Sequence, residues 1–198
     1  MAAKKEKCGH IGNIAYESDE EKYILWWLWE LFEAGYIYSI ERSEFFELSA
    51  KQTIEYLEIT ELKKGPKVEV KEHLLIREHI YTPDYKVTFT SRTNPFTWDK
   101  ESGKDFLKPF FNTTFDEMGH PIVYLEVKPS FDRGNMERLF KVSQKWMFNK
   151  YLIFINLIKP KELFEKTFTP TAYLTTEHTH KDKKINFKIK SLKEWLNQ

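Results

Sequence analysis

The spacing of apolar residues changes along this chain, and each spacing predicts a different element. Residues 23–32 are apolar on nearly every side of a helix, which indicates a helix that is buried in the core or covered by a partner chain. Ser18 and Glu21 have the spacing of a capping box, and Gly35 is a typical helix stop. We therefore predict a helix of about 16 residues between these two signals.

The residues that follow this helix favour strands. Residues 36–48 are β-prone, and residues 54–62 alternate between apolar and polar over most of their length. A turn at residues 63–66 leads into an extended run over residues 68–89 that is broken at Pro83. The first half of the chain therefore predicts a helix followed by antiparallel strands.

The second half predicts a strand, a helix and a second strand. Residues 122–128 form a short strand that ends at Pro129, and residues 151–158 form a continuous apolar run of strand length. Between them, helical spacing relates four apolar residues, Met136, Leu139, Phe140 and Met147. This order is a βαβ unit, so we expect its two strands to be parallel.

These elements predict one α/β (α+β) domain with a mixed sheet and helices on both faces. Residues 1–17 are interpreted as an N-terminal arm, and residues 18–160 as the core. Turn residues interrupt the core at about residues 91–120, which we interpret as an insertion that is either functional or extra packing. Residues 161–198 are interpreted as a basic C-terminal extension packed on the core.

Composition adds a division of charge to this picture. The chain has 198 residues and a formal net charge of +1, but residues 135–198 contain 13 Lys and Arg against 6 Asp and Glu, a net charge of +7. A phosphate-binding surface beside an acidic metal site would produce this division, as would scattered solvated charge. A single cysteine excludes an internal disulfide framework, and no apolar run reaches the roughly 20 residues that span a bilayer. We expect a cytoplasmic protein without a membrane segment.

Two acids and a lysine could form a catalytic site. Asp84 begins one predicted strand, and Glu126 and Lys128 lie on the same face of the strand over residues 122–128 because side chains alternate. Mg²⁺ is typically held by one or two protein carboxylates with substrate phosphate. Asp84, Glu126 and the Val127 backbone carbonyl could supply its oxygen ligands. Lys128 could orient water and offset charge on a phosphate.

The order of these motifs resembles a known family. The sequence Thr82-Pro83-Asp84-Tyr85, then Glu126-Val127-Lys128, followed by a helix and a strand, is similar to the PD-(D/E)XK nuclease superfamily with its α-β-β-β-α-β core. Small phage-encoded nucleases and resolvase or transposon-end endonucleases are the most similar members. The resemblance implies that Asp84, Glu126 and Lys128 form the catalytic triad.

The resemblance also implies an accessory acid on the first helix. Glu21 is the residue we assign to this role, although Glu20 competes for the position and Glu21 could instead only close its capping box. On the helix after the catalytic strand, polar residues are candidates for contacts to DNA phosphates or, alternatively, for an ordinary solvated face; they are Arg138, Lys141, Gln144 and Lys145.

We therefore expect a Mg²⁺-dependent endonuclease, with Mn²⁺ able to substitute, that acts on double-stranded or branched DNA. Paired cuts in a four-way junction need a symmetric dimer, so a homodimer is expected for that substrate. The alternative is a non-catalytic nucleic-acid-binding or assembly protein on a nuclease scaffold, because a fold does not dictate an activity. An RNA-cleaving enzyme is a third hypothesis.

Overall fold

The computed structural model describes residues 8–90, 111–131, 136–175 and 185–197. Within these ranges the protein is mixed α+β. The helices are α1 (Asp19–Glu33), α2 (Met136–Tyr151), α3 (Pro160–Lys166), α4 (Thr171–Thr175) and α5 (Leu192–Leu196). The strands are β1 (Gly9–Ile11), β2 (Ile14–Tyr16), β3 (Ile37–Arg42), β4 (Phe46–Ser49), β5 (Gln52–Leu62), β6 (Gly65–Ile76), β7 (His79–Tyr81), β8 (Tyr85–Phe89), β9 (Thr114–Phe115), β10 (Pro121–Val127) and β11 (Ile155–Ile158).

The described residues form two compact units. One unit runs up to Glu44 and resumes at Pro83, and the other consists of Phe45–Thr82. Much of the predicted insertion, part of the N-terminal arm and part of the C-terminal extension lie outside the described residues, namely residues 91–110, 1–7 and 176–184. Among the residues that are described, no helix is long and apolar enough to cross a membrane.

Helix α1 begins and ends at the predicted signals. The Ser18 side chain accepts the Glu21 backbone N–H at 3.1 Å, which is one half of a capping box. At the other end Gly35 has φ +81°, and Tyr36 N–H donates to the Leu31 carbonyl at 2.9 Å. This is a Schellman motif, in which glycine tolerates the left-handed backbone conformation that stops the helix.

The first unit is built on a mixed sheet with strand order β11-β10-β8-β3, and β9 also pairs with β10. Strand β8 is antiparallel to both β3 and β10, whereas β10 and β11 are parallel, with Tyr124 opposite Ile155. The predicted βαβ unit with a parallel strand pair is therefore confirmed.

The last predicted strand is shorter than its apolar run. Tyr151 belongs to α2, and Leu152 has φ +57° directly after the helix, so the pairing begins only at Ile155. The prediction of a strand over the whole of residues 151–158 was wrong in its first four residues. The reason is that the helix end and its left-handed residue occupy part of the run, and an apolar run alone does not distinguish a helix end from a strand.

The core of the first unit lies between α1 and one face of the sheet. Alternate residues of β10 point into it, namely Val123, Leu125 and Val127, as do Tyr85, Val87 and Phe89 of β8. Helix α1 contributes residues that are completely buried, namely Ile24, Leu25, Trp27, Leu28 and Leu31. The apolar surface of α1 is thus covered largely within its own chain. This burial is the main stabilising contribution of the unit.

Residues near the C-terminus complete this core. Leu163, Phe164 and Phe168 are buried in it, and the Phe168 ring stacks on Trp27 with 5.4 Å between ring centroids. Trp27 Nε1 donates to Thr167 Oγ1 at 3.1 Å, which gives the indole a polar partner inside the core. The end of α3 is therefore fixed directly to α1.

The second unit consists of two antiparallel strand pairs, β4 with β7 and β5 with β6. The β5–β6 hairpin is the longer, with eleven pairs from Gln52 opposite Ile76 to Leu62 opposite Gly65. Its turn is formed by Lys63 and Lys64, so the predicted turn over residues 63–66 is confirmed only in its first half, because Gly65 and Pro66 already pair in β6. Its apolar residues are largely exposed, although their alternation is typical of a half-buried strand.

Candidate functional site

Asp84 and β10 meet through a backbone contact. Strand β8 begins at Tyr85, directly after the buried Pro83 and the partly buried Asp84. Proline has no N–H to donate to a strand ladder, so a break at this position is expected. Asp84 Oδ2 accepts the Val127 backbone N–H at 2.7 Å. The Asp84 carboxylate is therefore held at the residue between Glu126 and Lys128.

Glu126 and Lys128 form an ion pair beside this contact. Lys128 Nζ lies 2.6 Å from Glu126 Oε1, and the side chains are 19% and 9% exposed. Because Val123, Leu125 and Val127 point into the core, the alternating Glu126 side chain lies on the opposite face of β10. The Lys128 backbone N–H donates to the Ile158 carbonyl at 2.9 Å, which fixes the end of β10 to β11.

The Asp84 carboxyl is difficult to ionise where it lies. Burial is the largest cause of its raised pKa, and the negative charge of Glu126 is the second. The pKa of Asp84 is raised to about 7 from an ordinary value of 3.8. The hydrogen bond from Val127 and the charge of Lys128 oppose the increase, whereas Glu21 adds to it. Two other acids, Glu126 and Glu21, and one lysine therefore act on the same carboxyl group. Nearby acids that repel each other are typical of functional sites.

Glu21 faces this group but already has several partners. Its Oε2 accepts the Glu17 backbone N–H at 3.0 Å and lies 2.8 Å from Arg42 Nη1, and its Oε1 lies 3.2 Å from Ser18 Oγ. These contacts close the start of α1 and neutralise a buried carboxylate. They give Glu21 a structural role, and its role as accessory acid stays a prediction.

Arg42 and Tyr85 are two organising residues that the sequence analysis did not identify. They are opposite each other in the β3–β8 pairing, and the Arg42 guanidinium lies 5.3 Å from the Tyr85 ring centroid. The Tyr85 hydroxyl is 3.5 Å from Glu21 Oε2, so both residues approach the same carboxylate. No local signal could have identified them, because the pairing of β3 with β8 is set by register between distant segments.

A divalent cation would find two protein carboxylates at this point. In the described part of the chain, no group of three His, Cys, Asp or Glu side chains is arranged to hold a metal ion. Asp84 and Glu126 are two acids whose repulsion contributes to the raised pKa of Asp84, and a cation between them would relieve it. Mg²⁺, which keeps several waters and needs one or two carboxylates, fits this pair better than a metal that requires an all-protein cage.

The predicted DNA-binding residues all lie on α2 but differ in their environment. Arg138, Lys141 and Lys145 are exposed. Gln144 is half-buried, and its Nε2 donates to the Ile155 carbonyl at 2.6 Å. This bond fixes α2 to the first residue of β11, which is a structural use for the amide. The three cations occupy an exposed helix surface, and their binding to DNA stays a prediction.

Comparison of this chain with protein-family models, with curated proteins and with solved structures gives no match.

Proposed function

We propose that this protein is a Mg²⁺-dependent endonuclease that hydrolyses phosphodiester bonds in DNA, leaving 5′-phosphate and 3′-hydroxyl ends. The observation that carries the proposal is the 2.7 Å hydrogen bond from the Val127 N–H to Asp84, beside the Glu126–Lys128 ion pair. It brings together two acids and an amine from distant parts of the sequence. These are the residue types that metal-assisted phosphodiester hydrolysis requires.

The order of elements in the first unit supports the same proposal. Leaving out the short strands β1, β2 and β9 and the short helices α3, α4 and α5 that follow β11, its elements follow one another as α1, β3, β8, β10, α2 and β11. This is the α-β-β-β-α-β order of the PD-(D/E)XK core, with the second unit lying in sequence between β3 and β8. On this proposal the Pro83-Asp84 break and the Glu126-Val127-Lys128 strand end occupy the positions of the family motif.

Each residue has a separate task in the proposed reaction. Asp84, Glu126 and the Val127 carbonyl would hold the metal ion, which when bound would polarise the phosphodiester and lower the pKa of water. Lys128 orients the attacking water and offsets the charge that develops on the phosphoryl oxygens. Arg138, Lys141 and Lys145 bind backbone phosphates, which positions DNA without reading its sequence. Branched DNA is the substrate we favour within this class, as for the resolvases that the sequence resembles.

Cleavage assays test the proposal directly. Linear, nicked, supercoiled and four-way DNA, with a matched RNA, are incubated with the full chain in Mg²⁺, in Mn²⁺ and in EDTA. We expect cleavage of DNA that depends on the metal and falls at least about 100-fold in Asp84→Ala and in Lys128→Ala. Glu165→Ala and Lys161→Ala on the exposed surface of α3 are matched controls that should keep full activity. Absence of metal-dependent cleavage of every substrate would contradict the proposal.

A second candidate is a non-catalytic DNA-binding protein on the same scaffold. The contacts of Glu21 with Arg42, Ser18 and Glu17 favour it, because they use this acid for structure. This candidate predicts DNA binding that weakens with salt but does not change in Lys128→Ala. Filter binding with wild type and this variant, beside the cleavage assay, distinguishes the two candidates.

A further inference from the structure

The β5–β6 hairpin has an apolar surface that is exposed among the described residues of the chain. On one face, Leu57 and Ile59 of β5 lie opposite Val70 and Val68 of β6. We call these four residues the apolar face; their exposed fractions are 65%, 65%, 64% and 56%. No other described strand pairs with β5 or β6. A two-stranded hairpin is marginally stable in water, so covering this face would stabilise it.

The charges of the hairpin disfavour nucleic acid as the partner. Residues 52–76 contain five glutamates and four lysines, a net charge of −1. Binding to a phosphate backbone requires an excess of cations, because affinity comes from neutralised phosphates. The apolar face and its nearly balanced charges are more typical of a contact between proteins.

The acids on the two faces of the hairpin have different surroundings. On the opposite face of the hairpin, which we call the polar face, Glu58 forms an ion pair with Lys71, and Glu69 forms one with Lys67. On the apolar face, Glu55 lies directly opposite Glu72, and among the described residues neither makes an ion pair. We call Glu55 and Glu72 the acid pair. Like charges directly opposite each other in a sheet are unfavourable, so the acid pair would be stabilised by added cations.

The hairpin carries such cations at a symmetric position. Ile59 lies opposite Val68 in the apolar face, and we take this pair as the centre of the arrangement. The acid pair is four residues from this centre on each strand in one direction. Lys63 and Lys64, which we call the lysine turn, are four residues from it in the other direction. A two-fold axis parallel to the line joining Ile59 and Val68, and lying just above the apolar face, therefore places the acid pair of one copy over the lysine turn of the other.

We propose that the apolar face binds the apolar face of a second copy of this chain, around this two-fold axis. The two hairpins then lie antiparallel, with the lysine turn of each over the acid pair of the other. Ile59 and Val68 pack on their own copies, as the self-complementary surface of a symmetric dimer requires. Glu61 lies over the partner's Leu57, which is the least favourable contact of the arrangement. This inference does not depend on the nuclease activity.

Charge reversal tests the arrangement in the full chain. One variant carries Glu55→Lys with Glu72→Lys, and another carries Lys63→Glu with Lys64→Glu. In each variant, residues 55 and 72 of one copy have the same charge as residues 63 and 64 of the other copy that face them. We therefore expect the dimer dissociation constant to increase about tenfold or more. An equimolar mixture of the two variants places opposite charges together at both ends. We expect the mixture to recover dimers that neither variant forms alone.

The matched control is Glu58→Lys with Glu69→Lys, which makes the same change of charge on the polar face and should leave the dimer intact. Glu61→Leu should strengthen the dimer, because it replaces the least favourable contact. Sedimentation over a concentration series measures each constant, and far-UV circular dichroism checks that every variant is folded. A wild type that remains monomeric would overturn the proposal. So would reversal variants that dimerise like wild type, or a mixture that does not recover dimers.

Discussion

Asp84 and Val127 are 43 residues apart in the sequence, yet Asp84 Oδ2 lies 2.7 Å from the Val127 backbone nitrogen. The contact positions an acid by a bond to the backbone instead of to a side chain. Substitutions of the Glu126 or Lys128 side chain would leave that bond in place, because its donor is the backbone N–H of Val127. The geometry of the site and its chemistry can therefore be altered separately.

Asp84→Asn should stabilise the protein in EDTA, increasingly so as the pH rises. The pKa of Asp84 is raised from 3.8 to about 7, so the folded state binds this proton more tightly than the unfolded state does. The wild type therefore loses stability as the pH rises from about 4 to about 7, whereas the asparagine variant does not. We expect Tm of the variant to exceed that of wild type by a few degrees at pH 8, since 1 kcal/mol corresponds to about 2–4 °C at this size. Thermal unfolding at pH 4.5 and pH 8 measures the difference, and a lower Tm for the variant at pH 8 would contradict it.

Adding Mg²⁺ or Mn²⁺ should raise Tm of wild type. A ligand that binds only the folded state stabilises it, by about 2.7 kcal/mol when present at 100 times its dissociation constant. Asp84→Asn removes one of the two carboxylates, so we expect its Tm to change little with metal. Differential scanning calorimetry in EDTA and in a metal series tests this, with Glu165→Gln as a control that should respond like wild type. Equal metal responses in all three proteins would exclude a site at Asp84.

Arg42→Met should destabilise the protein by about 1–3 kcal/mol, because it leaves the largely buried Glu21 carboxylate without its cation. The value lies below that for a fully buried pair because 34% of the Arg42 side chain is exposed. Combining Arg42→Met with Glu21→Gln should cost less than the sum of the two single changes. Urea unfolding of the four proteins gives the coupling energy, and additive losses would show that the pair contributes little.

Replacing Arg138, Lys141 and Lys145 one at a time by alanine should weaken DNA binding to a similar degree for every sequence. Each change should reduce the slope of log affinity against log salt concentration by about 1, because one phosphate contact is lost. Fluorescence anisotropy with labelled duplexes in EDTA measures binding without cleavage. Lys161→Ala is the control, and unchanged slopes in all three variants would indicate that this surface of α2 is only solvated.

Local signals in the sequence were sufficient to predict parts of this fold. The bounds of α1 follow from Ser18 and Gly35, which act on the backbone next to them. The placement of the Glu126 and Val127 side chains on opposite faces of β10 follows from strand geometry alone. These predictions are confirmed because each depends on residues within a few positions of one another.

Features that depend on distant contacts could not be predicted in this way. The pairing that brings Arg42 and Tyr85 together depends on register, and the Gln144 amide is used by the Ile155 carbonyl, 11 residues away. The alternation of β5 and β6 predicts strands correctly but does not tell whether their apolar face is covered. The assignment of catalytic roles to Asp84, Glu126 and Lys128 stays a prediction until cleavage is measured.

The position of Thr167 and Phe168 against Trp27 has a consequence for synthesis of the chain. The hydrogen bond between Trp27 and Thr167 spans 140 residues, so α1 leaves the ribosome long before these partners, which directly follow α3, are made. During that interval the apolar side of α1 is exposed and can bind other exposed apolar surfaces. Productive folding of this unit must therefore wait until residue 168 has emerged, and chaperone binding to nascent chains should be strongest before that point.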